Sequence, residues 1–154
     1  MGTEIERKFL LRNDGWRGLA PGKPYVQGYL AGSGACSVRV RIADGKATLN
    51  IKGAAIGAVR SEFEYPLPLE DARHMLAAFV VSPLIEKTRY VVEDKGVYWE
   101  IDEFHGANQG LIVAEIELER ADQVFERPTW IGDEVTDDPR YYNANLALVP
   151  YSQW

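Results

Sequence analysis

Apolar and charged side chains alternate along the chain in a series of short stretches. In the first stretch, Glu4, Glu6 and Lys8 alternate with Ile5 and Phe9. Successive side chains of a β-strand point to opposite faces, so this spacing gathers charge on one face of a predicted strand and apolar groups on the other. Eight strands with this or a related pattern are predicted, over residues 4–9, 25–30, 36–42, 47–52, 60–67, 85–92, 97–102 and 111–118.

Turn sequences that contain glycine separate several neighbouring strands. Gly32-Ser33-Gly34 lies between the second and third predicted strands, Asp44-Gly45 between the third and fourth, and Asp94-Lys95-Gly96 between the sixth and seventh. Such short connections are typical of β-hairpins. We therefore expect an antiparallel sheet.

Helical spacing is clearest in one segment. In residues 69–79, Ala72, Met75, Leu76 and Phe79 recur at i, i+3, i+4 and i+7, which predicts an amphipathic helix on the apolar side of the sheet. Shorter helical segments are predicted at residues 16–20, 121–125 and 138–147, the last with a proline suited to its first turn.

Composition narrows the class of protein. A length of 154 residues fits one domain, residues 1–154, which can bury about two thirds of its unfolded surface. The formal net charge of −6 argues against a general nucleic-acid binder. Cys36 is the single cysteine, so we expect neither an internal disulfide nor a multi-cysteine zinc site. With no apolar leader or long apolar run, we expect a cytoplasmic protein without a membrane partner.

The charged faces of the predicted strands consist mainly of arginine, lysine and glutamate, sorted by strand. One such strand is typical of a solvent-exposed face, where salt bridges contribute little to stability. Repeated across the sheet, the sorting indicates a shared and strongly charged ligand. The cations are Lys8, Arg39, Arg41, Lys52, Arg60, Lys87 and Arg89, and the carboxylates are Glu4, Glu6, Glu62, Glu64, Glu100, Asp102, Glu115 and Glu117.

A sheet with one charged and one apolar face can close into a barrel in two senses. In one sense the apolar side chains fill the interior. In the other, the charges surround a wet lumen, and helices near residues 72–79 and 141–147 cover the apolar outside. The clustering of charge favours the second. The predicted fold class is α+β and β-dominated: a closed eight-stranded antiparallel β-barrel, or tunnel, with a charged interior and helices packed outside.

The two signs of charge suit different ligands. Arginine binds phosphate oxygens through a planar fork and lysine binds them as a point charge, so cations on several strands suit a linear chain of phosphates. Clustered carboxylate oxygens suit Mg²⁺ or Mn²⁺. The predicted reaction is attack of water on phosphorus, with the water activated by a second metal, a carboxylate or Lys87. Tyr29 is a candidate contact for substrate or water, whereas His74 and His105 are not expected to be catalytic.

Glu4-Ile5-Glu6-Arg7-Lys8 resembles the ExExK signature of the CYTH superfamily, the triphosphate tunnel metalloenzymes. That superfamily includes class IV adenylyl cyclases, thiamine triphosphatases and inorganic tripolyphosphatases. The resemblance continues in order over essentially the whole chain, through Gln27-Gly28-Tyr29-Leu30, Arg39-Val40-Arg41, Ile51-Lys52-Gly53, Arg60-Ser61-Glu62-Phe63-Glu64, Glu86-Lys87-Thr88-Arg89, Glu100-Ile101-Asp102, Glu115-Ile116-Glu117, Gly132-Asp133-Glu134-Val135-Thr136 and Tyr142-Asn143-Ala144-Asn145-Leu146.

The resemblance implies an eight-stranded antiparallel tunnel whose tail serves as a plug helix at one mouth. It implies triphosphate contacts at the seven cations named above. We predict catalytic roles for Lys8, Lys87 and Tyr29. It implies Mg²⁺ or Mn²⁺ on Glu4, Glu6, Glu62, Glu64, Glu115 and Glu117, with Glu100 and Asp102 as further acidic candidates. Asn50 departs from the threonine that is more usual before the Ile-Lys pair.

The short chain, without an evident adenine pocket, is similar to the inorganic tripolyphosphatases, which implies hydrolysis of tripolyphosphate to pyrophosphate and phosphate. Thiamine triphosphatase or nucleoside triphosphatase activity is the next alternative, followed by adenylyl cyclase. A binding module that holds polyphosphate or nucleotide without turnover stays open, as does a lattice of surface salt bridges. The expected partner is a small-molecule triphosphate, without nucleic acid, and the protein is expected to be a monomer or a homodimer.

Overall fold

The computed structural model describes residues 2–32 and 35–154. Its elements along the chain are β1 Glu4–Leu11, β2 Gly22–Gly32, β3 Cys36–Ala43, β4 Lys46–Gly53, β5 Val59–Arg60, β6 Glu62–Leu67, α1 Leu69–Ala78, β7 Ile85–Asp94, β8 Val97–Phe104, β9 Ile112–Glu117, β10 Ile131–Glu134 and α2 Asn143–Leu148. Short 3₁₀ turns lie at Gly106–Asn108, Pro139–Tyr141 and Tyr151–Gln153. The protein is thus α+β and dominated by strands, as predicted.

The strands form a ten-stranded antiparallel sheet with the order β10-β1-β9-β8-β7-β2-β3-β4-β6, and β5 pairs with β1 off this path. The predicted strand 60–67 is split at Ser61, because Arg60 pairs with Glu4 of β1 whereas Glu62 pairs with Lys52 of β4. β6 therefore pairs only with β4 among the described strands.

The prediction of a closed eight-stranded barrel is wrong, because the described sheet has ten strands and is not closed between β6 and β1. Other segments bond to the edge of β1 that β6 would need. Glu6 N donates to the carbonyl of Ala58, and Val135 N donates to the carbonyl of Lys8. Because the backbone of β1 is already satisfied by these segments and by β10, it offers β6 no continuous ladder.

The shorter predicted helices are only partly present. Residues 16–20 and 121–125 form turns rather than helices; in the first of these, Gly18 has a φ of 80°. The predicted helix 138–147 is interrupted at Tyr142, whose extended backbone separates a 3₁₀ turn from α2. The helix predicted at 69–79 is confirmed as α1. The hairpin turn predicted at Ser33-Gly34 lies outside the described residues, although β2 and β3 pair antiparallel.

The apolar faces of the sheet are covered from outside. Ala72 and Leu76 of α1 pack on Val40 and Ala47 of β3 and β4. Leu146 of α2 belongs to a second apolar cluster, with Ile85, Phe104 and Tyr141. A third cluster joins β1, β8 and β9 to residues from the connecting segments, and contains Phe9, Trp16, Trp99, Ile116 and Trp130. The charged faces are thereby left to face one another.

No helix within residues 2–32 and 35–154 combines the length and hydropathy needed to cross a membrane.

Candidate functional site

The charged faces of the strands surround a cavity of about 450 Å³. Every site residue predicted from the sequence lines it except Asp102. The lining includes Glu4, Glu6, Lys8, Tyr29, Arg39, Arg41, Lys52, Arg60, Glu62, Glu64, Lys87, Arg89, Glu100, Glu115 and Glu117, together with Tyr142, Asn143, Ala144 and Asn145 from the start of α2 and the residue before it.

Carboxylates concentrate on β1, β9 and β8, which are neighbours in the sheet. Glu6 lies opposite Glu117, and Glu115 lies opposite Glu100. Burial and the neighbouring carboxylates, Glu4 foremost, raise the pKa of Glu117. Burial and Glu115 also raise the pKa of Glu100, although Arg89 opposes the shift. This acidic sector therefore carries more negative charge than its surroundings neutralise.

Lys8 is held between two of these carboxylates. Its Nζ lies 3.0 Å from Glu6 Oε1 and 3.3 Å from Glu115 Oε1. Burial lowers the pKa of Lys8, but Glu115 and Glu6 outweigh that effect and raise it overall. Burial likewise raises the pKa of Glu6, and Lys8, Glu115 and Lys52 more than reverse it. Lys8 and Glu6 are therefore both ionised at neutral pH.

A second ion cluster joins β1 to β4, β5 and β6. Lys52 Nζ lies 3.1 Å from Glu4 and 3.0 Å from Glu62, and Arg60 Nε lies 3.3 Å from Glu4. Arg60 and Glu62 flank the split at Ser61, so the change of strand partner places two opposite charges beside Glu4.

Lys87, Asp102 and Arg89 form a buried triad at the wall of the cavity. Lys87 Nζ donates to Asp102 Oδ2 at 2.7 Å, and Arg89 donates to both oxygens of Asp102 at 2.7 and 2.8 Å. Burial, together with Arg89 and Arg41, lowers the pKa of Lys87 to about 7, even though Asp102 raises it. Asp102 cannot fully compensate because it is shared with Arg89. The structure thus places Asp102 behind the cavity wall, as a partner of two cations.

Arg39 and Arg41 lack a carboxylate partner among the described residues. Arg39 is 6% exposed, and its Nε has no hydrogen-bond partner within residues 2–32 and 35–154. Arg41 Nε donates to Gln27 Oε1 at 2.9 Å. Burial, Arg39 and Arg89 lower the pKa of Arg41 to about 10, so it keeps its charge at neutral pH. Buried charges of one sign without counter-charge are costly, and an anion in the cavity would relieve that cost.

Sequence reasoning gave no role to three residues at this site. Tyr25 places its ring 5.0 Å from the Arg41 guanidinium and 4.9 Å from that of Arg89. Gln27 and Asn143 bond to each other and to the cations. The alternation of β2 puts Gln27 on the face of Tyr29 and marks it as a lining candidate. Asn143 lies in the irregular C-terminal tail, whose sequence has no periodicity that would predict a contact with the sheet.

The histidines lie elsewhere. The His74 ring packs edge-on against Phe79 at the outer helix, and His105 Nε2 lies 2.7 Å from Thr88 Oγ1. Neither histidine lines the cavity.

The donor set of the acidic sector suits a hard divalent cation. Its ligand atoms are carboxylate oxygens that repel one another, as the raised pKa values of Glu100 and Glu117 indicate. Over the described ranges, no three His, Cys, Asp or Glu side chains are already arranged to hold a metal ion. Glu4, Glu6, Glu62 and Glu115 are occupied by ion pairs with cations. Metal binding would therefore require those pairs to rearrange.

The antiparallel sheet places buried cations and the carboxylates of the acidic sector around one cavity. This arrangement defines a class of β-protein that binds polyanions. Residues 2–142 match the family model of the CYTH domain, and the chain belongs to this family. The family resemblance predicted from the ordered motifs is confirmed.

Named relatives match over almost the full length. The chain is 46% identical over 154 residues to an inorganic triphosphatase of Acetivibrio thermocellus, covering 100% of this chain and 99% of the relative. It is 36% identical over 150 residues to an inorganic triphosphatase of Nitrosomonas europaea, covering 95% and 97%. The crystal structure of the inorganic triphosphatase NE1496 superposes with a TM-score of 0.69 at 33% identity, covering 96% of each chain.

Proposed function

We propose that the protein is a metal-dependent triphosphatase that hydrolyses inorganic tripolyphosphate to pyrophosphate and phosphate. The observation that carries the proposal is the pair of guanidiniums of buried Arg39 and half-buried Arg41, which face the cavity without carboxylate partners among the described residues. The names of the two full-length relatives support the same activity. We take residues 1–154 as one triphosphate tunnel domain acting in the cytoplasm, as a monomer or homodimer.

Substrate binding is assigned to the cations of the cavity wall. Arg39 and Arg41 offer planar forks to phosphoryl oxygens, and Arg89 is fixed by Asp102. Lys8, Lys52 and Arg60 already bridge to carboxylates, so they join the phosphate chain to the acidic sector. Each contact neutralises charge that develops on the leaving pyrophosphate.

Mg²⁺ or Mn²⁺ is the proposed cofactor. When bound, it would supply Lewis-acid polarisation of the phosphoryl oxygens. We assign its coordination to Glu4, Glu6, Glu62, Glu64, Glu100, Glu115 and Glu117. Asp102 was also a candidate from the sequence, but its two oxygens accept from Lys87 and Arg89. We propose instead that Asp102 positions those two cations.

Lys87 is the proposed proton acceptor. With a pKa of about 7, a substantial fraction is neutral amine at neutral pH. As the oxygen of water bonds to the terminal phosphorus, the bond from that phosphorus to the pyrophosphate oxygen breaks, and the proton of the water passes to Lys87 Nζ. We assign Tyr29, which lines the cavity beside Arg39 in the strand register, to orient the water, and Lys8 to neutralise the attacked phosphoryl group.

A side-by-side assay tests the proposal. Purified protein is incubated with tripolyphosphate, ATP and thiamine triphosphate, each with Mg²⁺, with Mn²⁺ and with chelator, and phosphate release is measured. We expect the highest kcat/KM with tripolyphosphate, and loss of activity with chelator. Higher kcat/KM with ATP or thiamine triphosphate would identify that compound as the preferred substrate. Formation of cyclic AMP would indicate a cyclase. No release from any of the three would contradict the hydrolase.

One observation favours a binding module without turnover. Carboxylates that would hold the metal are engaged by Lys8, Lys52 and Arg60, and no metal-holding arrangement is present among the described side chains. A binding module would take up tripolyphosphate to the same extent with metal or with chelator and would release no phosphate.

A further inference from the structure

The first residue of α2 lies at the cavity wall. Asn143 lines the cavity, while Leu146, one turn later, is buried in the apolar cluster that contains Ile85 and Phe104. Packing of Leu146 against these residues of β7 and β8 fixes α2 to the sheet. The side chain of Asn143 is therefore delivered to a defined place beside Lys87.

The orientation of the Asn143 amide follows from the groups that surround it. Gln27 Oε1 accepts from the Arg41 guanidinium, which can only donate. Gln27 therefore presents Nε2 to Asn143 at 2.9 Å, and the Asn143 atom that accepts from it must be Oδ1. Lys87 Nζ lies 3.0 Å from the same oxygen and carries N–H donors for it both as an ammonium and as a neutral amine.

These bonds involve the amide oxygen of Asn143 but not its amide nitrogen. Nδ2 has no acceptor among the described residues, although Asn143 lines the cavity. The same oxygen links Asn143 to Lys87 directly and to Arg41 through Gln27. An anion that binds Arg41 beside Lys87 therefore comes close to a neutral N–H donor that is held in place.

Building on the proposed function, we propose that Asn143 is a further substrate-binding residue, whose Nδ2 donates to an oxygen of the phosphoryl group bound by Arg41 beside Lys87. Its Oδ1 meanwhile holds Lys87 and Gln27. The contribution of Nδ2 is a hydrogen bond to an anion, which is stronger than one between neutral groups. It adds no positive charge to a region where Arg39, Arg41 and Arg89 already repel one another.

Two substitutions separate substrate contact from positioning. Asn143→Asp keeps an oxygen for Lys87 and Gln27 but replaces the donor by a second, negatively charged oxygen. Asn143→Ala removes both functions. Asn13→Asp is the matched control, because it makes the same change at an exposed turn outside the cavity, where Asn13 bonds to Gly15 and Thr129.

The measurements are KM and kcat for tripolyphosphate with metal, and the Kd for tripolyphosphate by calorimetry with chelator. We expect Asn143→Asp to raise both KM and Kd at least tenfold and by more than Asn143→Ala, with the melting temperature within a few degrees of wild type. Asn13→Asp should leave both constants within twofold. If Asn143 only positioned Lys87, Asn143→Ala would lower kcat and leave the Kd measured with chelator within twofold of wild type.

Failure of this inference is distinguishable from failure of the proposed function. A KM and Kd within twofold of wild type for Asn143→Asp, in an active enzyme, would overturn the role of Asn143 alone. A wild-type protein that binds tripolyphosphate without releasing phosphate would overturn the hydrolase, while the Kd series would still decide the role of Asn143. Absence of binding to the wild-type protein would overturn both.

Discussion

Lys87 and Asp102 form an ion pair that is closed off from solvent. Lys87 Nζ lies 2.7 Å from Asp102 Oδ2, and the side chains are 1% and 0% exposed. Asp102 also binds Arg89, so one carboxylate compensates two buried cations. Because buried charges are costly without a partner, this carboxylate stabilises the wall of the cavity as well as its chemistry.

Asp102→Asn should therefore destabilise the protein strongly. The amide leaves Lys87 and Arg89 without a counter-charge, and loss of one partner of a buried pair costs about 3–5 kcal/mol. Urea denaturation measures the free energy of unfolding. The control, Asp14→Asn, removes an exposed ion pair with Arg17 and should change that free energy by less than about 0.5 kcal/mol. Equal effects of the two substitutions would contradict the account of the triad.

Activity should rise with pH through about 7. Burial lowers the pKa of Lys87 to about 7. Below that pH the side chain is an ammonium that cannot accept a proton, and above it the side chain is a neutral amine that can. The pH dependence of kcat/KM reports groups of the free enzyme and is the quantity to measure. Lys87→Met should lower activity by about 100-fold or more and abolish this rise. A wild-type profile that is flat between pH 6 and 8 would exclude Lys87 as the proton acceptor.

Arg39→Met should stabilise the ligand-free protein while weakening substrate binding. Arg39 is buried and forms no ion pair with any side chain that the structure describes, so replacing it with an apolar side chain of similar length should add about 1 kcal/mol to the free energy of unfolding. The Kd for tripolyphosphate should rise at least tenfold, since a charge-assisted contact is lost. Arg17→Met, at the surface, should leave the Kd unchanged. Loss of stability in ligand-free Arg39→Met would show that Arg39 is a structural residue.

The double substitution Glu115→Gln and Glu117→Gln separates hydrolysis from binding. Two ligands of the proposed metal site lose their charge, so metal-dependent phosphate release should fall about 100-fold or more. Without metal, tripolyphosphate should bind at least as tightly as to wild type, because the acidic sector repels it less. Glu119→Gln, an exposed position outside the cavity, is the control. Retention of full metal-dependent activity by the double variant would contradict the proposed metal site.

Alternation of side chains predicted most of the site, but the closed barrel predicted from it is wrong. Charges at every second position of β3, β7 and β9 identify the inward set without knowledge of contacts, since period two holds along any strand. The split at Ser61 depends on which backbone groups of β1 are already bonded. Ala58 and Val135, which are distant from β1 in sequence, bond to the backbone of Glu6 and Lys8. β10 has no alternation in its sequence and forms because it satisfies the edge of β1.

The residues missed by sequence reasoning share a physical reason. Gln27 and Asn143 are neutral, so the sorting of charge that identified the charged lining residues gave them no weight. Asn143 reaches the cavity only because Leu146 packs among Ile85 and Phe104, a contact across the tail and the sheet that no local pattern encodes. The burial of Asp102 behind the wall likewise depends on the two cations that hold it.

We propose that the charged faces surround a site for a triphosphate, and a titration of thermal stability tests this most directly. Wild-type protein is melted against increasing tripolyphosphate, with metal and with chelator. Ligand at about 100 times Kd should add about 2.7 kcal/mol of stability, a rise of roughly 5–10 °C in melting temperature. The rise should shrink in Arg39→Met. A melting temperature that does not change with tripolyphosphate in either condition would contradict the account.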